Sequence, residues 1–415
     1  MQATEDWILA VDIGTTAMKG GLIDPKGNLQ AYKRIVYKNI THQGYQSWDS
    51  GVWIQCLADI VAGLGQNNRI RAVTVSGQGP SLVPLDSNGQ PLHHALLWLD
   101  QRSIPLEGTS SFFLPKINWF RENERALFDQ TRWFVSCPEY LDFFLTGEVH
   151  TVTPSPEFKP YIWHEADWKL YGLDSTILPP FVTTGDLLGK ITPKASRIVG
   201  LPAGIPVVAG GSDFLLSLLG AGAVRPGRVC DRAGTSEGIN YCHTQPLTDP
   251  HLRTLPHVIQ GLYNISGILS STGRLFEWYR KISGQMERSY KDILEDLGAL
   301  PLERSRPYFF PTFESSGNFE FAQGGFLELS PEHSREDLGR AVIESIGFGI
   351  RKILGRFERL GCQATELRVT GGQARNHHWN QIKADITGCK VLVPQIEDAE
   401  LLGGGYHSLY GLGGV

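Results

Sequence analysis

The sequence predicts an α/β protein made of two related domains around a cleft, because the same two motifs occur twice in the same order. An apolar stretch runs into Asp12–Thr16 (DIGTT), and another runs into Asp231–Ser236 (DRAGTS). Each pattern indicates a strand that ends in a Gly-Thr turn, which can present backbone N–H groups and hydroxyls to a phosphate. Two facing copies would form a clamp.

The second repeated motif is a strand that runs into glycines. The segment from Arg71 to Gly79 is similar to the segment from Leu367 to Ala374, and each follows its Gly-Thr turn. Short glycine-rich phrases also recur by chance in a chain with 47 glycines. The prediction of two domains therefore depends on the shared order of the two motifs.

The composition describes an ordinary globular chain of 415 residues with 41% hydrophobic and 20% charged residues. The net charge of -5 argues against a surface for nucleic acid or for an anionic membrane. We expect no targeting or membrane segment, since the most apolar stretch, Val207 to Val224, contains Ser212 and Asp213. The six cysteines lack metal-like spacing, so reduced thiols and a cytoplasmic location are expected.

In the first half, strands and helices alternate. Strands are expected at Ile8–Val11, Gly20–Ile23, Tyr32–Tyr37 and Ala72–Val75, and helices at Trp53–Leu64 and Leu141–Leu145. Turns are expected at Asp24–Asn28 and Asp86–Gly89, a helix stop at Gly147, and loops at Thr153–Pro160 and Pro179–Pro180.

The domain boundary is placed at the turn Val224–Gly227, after a helix of small and apolar residues from Leu215 to Gly222. This gives domains of 1–223 and 224–415. In the second domain, apolar periodicity predicts a long helix over Glu336–Leu360 that ends at Gly361, and a further helix over His377–Thr387.

The turn after Asp12 has a chemical use. A carboxylate beside Gly-Thr amides can hold a hydrated magnesium ion, while Thr15, Thr16 and Lys19 contact phosphate oxygens. The alternative is a surface β-turn.

Asp213 follows an apolar strand that ends in two glycines, and it precedes a helix. The carboxyl end of a strand is the usual place for chemistry in an open α/β sheet, and an acid there can take a proton from an attacking hydroxyl. The alternative is a helix N-cap, because aspartate is favoured at that position.

Two further segments predict ligand contacts. Gly371 and Gly372, with Asn376, would let a flat base approach the backbone closely, although a tight turn explains the same residues. A polar pocket for a polyhydroxylated ligand is expected from the residues Gln78, Trp98, Asp100 and Arg102, with a structural Asp100–Arg102 ion pair as the alternative. The twelve histidines show no helical metal spacing.

Together these motifs resemble the FGGY family of carbohydrate kinases, which contains xylulose, ribulose, gluconate and glycerol kinases. The resemblance spans nearly the whole chain. It is carried, in order, by Asp12–Thr16, Ser76–Gln78, Leu97–Arg102, Leu145–Glu148, Leu201–Gly204, Gly210–Asp213, Gly234–Ser236, Thr272–Gly273, Thr370–Gly372, Trp379–Asp385 and Glu400–Gly403.

The resemblance implies an actin-like ATPase fold, with two ribonuclease-H-like domains around a central cleft, and implies ATP and Mg²⁺ as cofactors. Domain 1–223 would bind sugar and carry Asp213 as the general base, and domain 224–415 would bind nucleotide. Asp12 and Asp213 would contact the metal, and Asp12 with Thr15 the phosphate end. The positions that match nucleotide contacts are Gly234, Thr235, Ser236, Gly273, Glu277, Gly371, Gly372 and Asn376.

The chain departs from the family in its sugar pocket. After Gln78 the family's xylulose kinases carry Met-His-Gly and its glycerol kinases Arg-Glu-Thr, whereas this chain carries Gly79–Ser81. Phe214 stands where Asn or Gln is common, and the segment from Arg102 to Phe112 is shortened. The expected sugar contacts are Gln78, Gly79, Pro80, Trp98, Asp100, Arg102 and Phe214.

The expected activity is transfer of the γ-phosphoryl group of ATP to a hydroxyl of a ketopentose such as D-ribulose or D-xylulose. One alternative is a kinase of another polyol or sugar acid, such as glycerol, erythritol or gluconate. Others are an actin-like ATPase with a structural role, and a sugar sensor without kinase activity. The expected partner is a small sugar rather than nucleic acid or membrane. A homodimer is compatible with the family, but no segment marks an interface.

Overall fold

The computed structural model describes residues 7–413 apart from 38–39, 43–44, 302, 314–318, 320, 395 and 397. Contacts divide the chain into two compact units. Unit 1 comprises Met1–Gly220, Val258–Gln260 and Glu400–Val415, and unit 2 comprises Ala221–His257 and Gly261–Ala399.

Unit 1 alternates strands and helices along most of its length. Its strands are β1 (Trp7–Ile13), β2 (Ala17–Ile23), β3 (Leu29–Val36), β4 (Ile40–His42), β5 (Tyr45–Trp48), β6 (Ile70–Gly77), β7 (Val83–Leu85), β8 (Ala95–Leu96), β9 (Trp133–Val135), β10 (Thr151–Thr153), β11 (Phe181–Thr183), β12 (Leu187–Lys190) and β13 (Pro206–Ser212). Its helices are α1 (Gly51–Leu64), α2 (Leu114–Asn123), α3 (Arg125–Phe128), α4 (Cys137–Thr146), α5 (Lys159–Ile162), α6 (Glu165–Leu170), α7 (Pro193–Val199) and α8 (Asp213–Gly220).

The main sheet of unit 1 has the strand order β12-β13-β6-β1-β2-β3. Strand β1 is parallel to β6 and antiparallel to β2, and β6 is parallel to β13. All of β1 is buried, as expected for an apolar central strand. Helix α1 packs Trp53, Leu57 and Ile60 into the same core, and it ends at Gly65, which takes a left-handed conformation with φ of 65°.

Unit 2 has strands β14 (Val229–Ala233), β15 (Glu237–His243), β16 (Arg253–Pro256), β17 (Tyr263–Leu269), β18 (Tyr308–Phe310), β19 (Gly325–Leu327), β20 (Glu366–Thr370) and β21 (Lys390–Leu392), and helices α9 (Thr272–Ile282), α10 (Tyr290–Gly298), α11 (Arg335–Arg359) and α12 (His377–Thr387). Its main sheet has the order β16-β17-β15-β14-β20-β21. Helix α11 begins at a capping box of Ser334 and Asp337, and it buries Val342, Ile346 and Ile350.

The two main sheets share one arrangement. In each, a central strand (β1 or β14) is antiparallel to the next strand in sequence and parallel to a later one (β6 or β20). A third strand, β13 or β21, is parallel to that later strand on its outer side. The prediction of two related α/β domains is confirmed.

The register corrects one detail of the repeated motif. Asp12 pairs with Ser76 across β1 and β6, whereas Arg232 pairs with Thr370 across β14 and β20. Ser76 and Thr370 each precede the first glycine of their motif, so Arg232 takes the position of Asp12 in unit 2. Asp231 comes one residue earlier and points to the opposite face of its sheet. The similarity of the two phrases is therefore offset by one residue.

The division into units differs from the predicted boundary of 223/224. Unit 2 begins at Ala221, and residues 400–415 belong to unit 1 rather than to the second domain. The reason is helix α13 (Ala399–Gly411), in which a Cβ on Gly403 would overlap the carbonyl of Leu216 and one on Gly405 would press on Ile23. Sequence continuity alone does not show that a C-terminal helix packs on the first unit.

Most predicted elements are observed. The predicted helix His377–Thr387 has the same bounds, and Asp24 accepts backbone N–H bonds from Lys26 (2.9 Å) and Asn28 (2.8 Å) in the predicted turn. The predicted loop Thr153–Pro160 is wrong in part, because it holds the 3₁₀ turn Pro156–Phe158 and the start of α5. A proline in a first helical turn is tolerated, since no N–H is needed there.

All six cysteines are free and buried, as expected. Within the part of the chain that the structure describes, no helix combines the length and apolarity needed to cross a bilayer.

Candidate active site

Three predicted segments of unit 1 meet at one edge of its main sheet. Ile13 at the end of β1 pairs with Gly77 at the end of β6, and Gly77 pairs with Ser212 at the end of β13. The residues that follow these strand ends are the Gly14 turn, Gln78 and Asp213. Because the three strands are parallel, their carboxyl ends lie side by side, which is the edge where open α/β sheets bind ligands.

Asp12 has a buried carboxylate in an acidic setting. It accepts a hydrogen bond from Ser76 Oγ (2.9 Å), and Lys19 Nζ lies 3.8 Å from its Oδ2. Burial raises the pKa of Asp12 well above its ordinary value, and the negative charges of Glu400 and Asp213 raise it further, while Lys19 and Ser76 oppose the shift. A cation bound near these carboxylates would be stabilised.

Glu400 is a charged residue of this edge for which the sequence predicted no role. It lies in the first turn of α13, and its Oε1 accepts a hydrogen bond from Lys19 Nζ across 381 positions of sequence. Lys19 is therefore paired with Glu400 and near Asp12. The motif Glu400–Gly403 marked a resemblance, but nothing in its spacing indicated a partner in β2.

The carboxylates fit a magnesium ion that is shared with a ligand. Among the described residues, no three histidine, cysteine or acidic side chains are grouped closely enough to hold a metal ion alone. Mg²⁺ usually keeps several waters and binds through one or two carboxylates plus substrate phosphates. Asp12 and Asp213, whose charges interact, have carboxylate oxygens of the kind that could serve as ligands to such an ion.

The Gly14 turn is connected to the predicted sugar side by hydrogen bonds. Trp98 Nε1 donates to Thr15 Oγ1 (3.0 Å), and Thr15 Oγ1 donates to Gln78 Oε1 (3.3 Å). Gln78 Nε2 donates to the carbonyl of Gly14 (3.2 Å). The Thr15 hydroxyl thus links two predicted sugar contacts to the turn, while Thr16 is the exposed threonine of the turn.

The loop after Gln78 offers little side-chain polarity. Gly79 is exposed, and the Gly79–Pro80 peptide bond is cis. Ser81 Oγ donates to the Gln78 carbonyl (3.1 Å) and accepts from the backbone N–H of Cys137 (2.9 Å) at the start of α4. The hydroxyl of Ser81 therefore fixes the loop.

Asp100 and Arg102 form the ion pair that was the structural alternative. The closest contact joins Arg102 Nη2 and Asp100 Oδ2 (2.6 Å), and the guanidinium lies 5.0 Å from the centre of the Trp119 ring. Lys116 Nζ donates to the carbonyl of Asp100 (2.6 Å). The two charged side chains therefore bind each other, as the structural alternative predicts. Phe214 is half-buried beside Asp213.

In unit 2, the predicted nucleotide segments also meet. Gly273 N donates to the carbonyl of Thr235 (3.1 Å), and Gln373 Nε2 donates to the carbonyl of Gly234 (3.1 Å) and to Thr272 Oγ1 (3.3 Å). Gly234 and Thr235 remain exposed. Gln373 holds the three segments together, and sequence reasoning gave it no role because a glutamine beside glycines has no distinctive pattern.

Close packing requires glycine at two of the predicted nucleotide positions, whereas a third glycine has free space beside it. A Cβ on Gly273 would lie 2.5 Å from the carbonyl oxygen of Gly234, and one on Gly371 would lie 2.6 Å from that of Ala233. Gly371 also has φ of 83°, which favours glycine. A Cβ on Gly372 would meet no atom within 4 Å. Gly372 is thus the glycine whose face is open to a ligand.

Two other predicted nucleotide contacts have structural partners. Asn376 is the N-cap of α12, and its Oδ1 accepts from the backbone N–H of Trp379 (3.0 Å). Glu277 pairs with Arg280 (3.0 Å) on α9 and is 43% exposed at its side chain. The N-cap bond uses the amide oxygen of Asn376 and not its amide nitrogen.

A cavity of about 550 Å³ lies elsewhere in unit 2, beside α11 and β18. Leu269, Phe309, Phe348 and Lys352 are among the residues that line it, and no predicted site residue does. The candidate site is therefore defined by the strand ends and not by this cavity.

Several curated proteins of similar sequence are sugar kinases. The xylulose kinase of Staphylococcus epidermidis is 26% identical, with 98% of this chain and 88% of that protein covered. The L-xylulose/3-keto-L-gulonate kinase of Escherichia coli is 27% identical, with 99% and 89% covered. The crystal structure of ligand-bound xylulose kinase from Lactobacillus acidophilus is 22% identical, with 98% and 90% covered and a TM-score of 0.84, which shows the same fold.

Two family models match nearly all of the described chain. The N-terminal domain of the FGGY family of carbohydrate kinases matches residues 7–109 and 106–220, and the C-terminal domain matches residues 232–409. The two N-terminal matches meet at 106–109, inside the interval where a shortened segment is expected. These matches cover far more than half of the chain, and the chain belongs to the FGGY family of carbohydrate kinases.

Proposed function

We propose that this carbohydrate kinase transfers the γ-phosphoryl group of ATP to a hydroxyl of a ketopentose, with D-xylulose or D-ribulose as substrate and Asp213 as the general base. FGGY kinases use ATP. The observation that carries the proposal is the position of Asp213 at the end of β13, beside the ends of β6 and β1, where its charge acts on Asp12.

Asp213 would act on the attacking hydroxyl. Its carboxylate takes the hydroxyl proton as the sugar oxygen forms a bond to the γ-phosphorus, and the bond from that phosphorus to the β,γ-bridging oxygen of ATP breaks, which releases ADP. A carboxylate at a strand end is held by the sheet, so little reorientation is needed before reaction.

Asp12, Lys19 and Thr16 would form the phosphate end of unit 1. Asp12 and Asp213 would hold Mg²⁺ together with nucleotide phosphates, and this ion supplies charge neutralisation on the transferring group. Lys19, which is paired with Glu400, lies on β2 close to Asp12 and would add a positive charge beside the phosphates. The exposed Thr16 hydroxyl is available to a phosphate oxygen.

Unit 2 would bind the nucleotide. The Gly234–Ser236 turn, which is exposed at Gly234 and Thr235, would offer backbone and hydroxyl groups to phosphate oxygens, beside Gly273. The open face of Gly372 and the amide of Asn376 would receive the base. The roles of 1–223 in sugar binding and of 224–415 in nucleotide binding remain part of this proposal.

The sugar is proposed from the relatives and from the pocket. The curated relatives act, by name, on xylulose, L-xylulose and 3-keto-L-gulonate. Trp98 is 40% exposed and offers a flat apolar face to a polyhydroxylated chain, while the buried amide of Gln78 bonds Thr15 and Gly14 and would act by holding the turn beside it. Gly79, Pro80 and Phe214 add shape without side-chain hydrogen bonds. A cytoplasmic location is supported by the six free cysteines.

The test is a sugar-dependent ADP-release assay over pentuloses, pentitols, hexuloses, 3-keto-L-gulonate, glycerol, erythritol and gluconate. We expect the largest stimulation of turnover with a pentulose. A larger stimulation by glycerol or gluconate would show that this compound, and not a ketopentose, is the preferred substrate. If no sugar stimulated turnover while ATP still bound, kinase activity would be excluded for this chain.

A sugar sensor without kinase activity is the second candidate. It is favoured by the loss of side-chain hydrogen bonding at Gly79 and Pro80, and by the pairing of Asp100 with Arg102. This candidate predicts that sugar binds, with a change in Trp98 fluorescence, while ADP is not released. The kinase proposal predicts that both signals appear together.

A further inference from the structure

We propose that Lys383 is a positioning residue of the nucleotide site, which ties both strands that flank the Gly234–Ser236 turn to helix α12. The inference rests on the proposed function, since it assigns the turn and the start of α12 to one nucleoside phosphate ligand. Lys383 itself is too deeply buried to touch that ligand.

The Lys383 ammonium lies between two acids. Its Nζ is 2.6 Å from Asp231 Oδ2 on β14 and contacts Glu237 Oε1 at the start of β15. The side chain of Lys383 is 1% exposed, and those of both acids are fully buried. Asp231 and Glu237 stand on either side of the turn, so one ammonium clamps the base of this hairpin.

The charges of the triad balance when Glu237 is protonated. Asp231 Oδ1 and Glu237 Oε2 have no donor among the described residues. Burial, followed by the charge of Asp231, raises the pKa of Glu237 to about 8. A proton on Glu237 that is donated to Asp231 would satisfy both oxygens and leave one carboxylate facing one ammonium. A balanced triad explains how three ionisable groups are buried together.

The other end of the tie is the segment that precedes α12. Asn380 Nδ2 donates to the carbonyl of Ala374 (2.9 Å), which fixes the Gly371–Arg375 segment to the helix. Gln373 from the same segment donates to the carbonyl of Gly234 (3.1 Å). Helix α12 and the segment before it therefore hold the turn at two points. Gln373 bonds its first residue, and Lys383 bonds the strands at its base. A phosphate on the turn and a base at Gly372 would then be at a fixed spacing.

The test compares two substitutions of Glu237 in the full chain. Glu237→Gln keeps an acceptor for Lys383 and a donor for Asp231, whereas Glu237→Ala removes one of the two contacts and leaves the Lys383–Asp231 pair balanced. We expect the Kd for ADP, measured by calorimetry, to stay within twofold of wild type for Glu237→Gln and to rise three- to tenfold for Glu237→Ala. The KM for sugar should not change in either variant.

A second variant removes the tie without leaving an unpaired charge. Lys383→Met combined with Asp231→Asn should raise the Kd for ADP at least tenfold and speed amide hydrogen exchange at residues 234–237. Ile382→Val is the matched control, because it lowers the unfolding temperature from the same helix without touching the triad. It should leave the Kd for ADP unchanged.

The outcomes separate this inference from the proposed function. Wild-type protein that releases no ADP with any sugar would contradict the proposed function, whatever the variants do. Active wild-type protein together with a Glu237→Ala variant whose Kd for ADP is within twofold of wild type would overturn the role of Lys383. An equal loss of ADP affinity in Ile382→Val would also overturn it, since the effect would then follow stability alone.

Discussion

The ends of β1 and β14 occupy the same place in two sheets of the same arrangement, yet their charges are treated differently. At the end of β1, Asp12 lies near one ammonium group, that of Lys19, and near two further acids, Asp213 and Glu400. The acidic groups there outnumber the basic ones. At the end of β14, Asp231 and Glu237 surround the buried Lys383, and we infer that protonation of Glu237 balances the three charges.

The difference shows how one scaffold supports two tasks. An excess of acidic charge beside an open turn leaves a demand for a cation, which suits a site that binds a metal–phosphate complex. A balanced triad beneath a turn makes no such demand, and it fixes the backbone above it. The offset of one residue between Asp12 and Asp231 produces this difference, because neighbouring residues of a strand point to opposite faces.

The largest contrast is expected between two lysine substitutions. Lys383→Met leaves a buried carboxylate without its partner and should lower the free energy of unfolding by about 3–5 kcal/mol. Lys19→Met removes a less deeply buried pair, whose side chains are 20% and 13% exposed, and should cost less stability than Lys383→Met while it strongly reduces turnover. Chemical denaturation of both variants measures this contrast. Equal losses of stability would contradict the difference that we infer between the two lysines.

The pH dependence of stability sharpens the same comparison. Glu237 has a folded pKa of about 8 and a usual value of 4.5, so the folded protein holds a proton that the unfolded chain has lost between these values. Stability should therefore fall as pH rises from about 4.5 to about 8, by at most about 1.4 kcal/mol per pH unit from this group. The charged groups that act on Glu237 are Asp231 on β14 and Lys383 on α12.

Glu237→Gln cannot titrate and should flatten this part of the profile. The measurement is the unfolding temperature of wild type and variant from pH 5 to 8.5. Parallel curves for the two proteins would show that Glu237 is not protonated in the folded state.

Alanine substitutions at two glycines of unit 2 should distinguish an effect on packing from an effect on ligand binding. Gly273→Ala forces a Cβ against the carbonyl of Gly234 and should cost about 1–3 kcal/mol of stability. Gly372→Ala meets open space and should leave the unfolding temperature unchanged while it weakens ADP binding. Calorimetric titration with ADP checks both variants. Unchanged ADP affinity in Gly372→Ala would show that the nucleotide base does not bind at this glycine.

The smallest effect concerns the hydrogen bonds of Thr15 in unit 1. Trp98→Phe keeps an aromatic face but removes the bond to Thr15, whereas Thr15→Val removes that bond together with the bond to Gln78. Trp98→Phe should lower kcat about fivefold, in keeping with about 1 kcal/mol for one hydrogen bond, and Thr15→Val should lower it further. The double variant should be little worse than Thr15→Val alone, because the bond that Trp98→Phe removes is already absent there. Fully additive losses would mean that the bond does not position the turn.

The parts of this molecule that sequence predicts are those set by local pattern. Apolar runs that end in glycine or aspartate mark β1, β6 and β13, and parallel pairing brings their ends together without further information. For this reason the fold and the shared edge of Asp12, Gln78 and Asp213 follow from the printed sequence.

The remaining contacts depend on long-range packing. Lys19 meets Glu400 across 381 positions, and Lys383 meets Asp231 across 152. Neither residue has a neighbour in sequence that indicates its partner. The pairing of Asp100 with Arg102 was one of two possible readings, and only the packing of Trp119 and Lys116 around it decides between them. The C-terminal helix likewise joins unit 1 through contacts of its glycines with distant residues.

The most direct test of the central claim is Asp213→Asn, which keeps the shape of the side chain and removes its ability to accept a proton as a carboxylate. Sugar-dependent phosphoryl transfer and ADP binding should be measured on the same preparation. We expect phosphoryl transfer to fall by at least about 100-fold, as is typical for loss of a general base, while the Kd for ADP stays within about twofold of wild type. Retained transfer, or a loss of ADP binding that matches the loss of transfer, would contradict the assignment of Asp213 as the base.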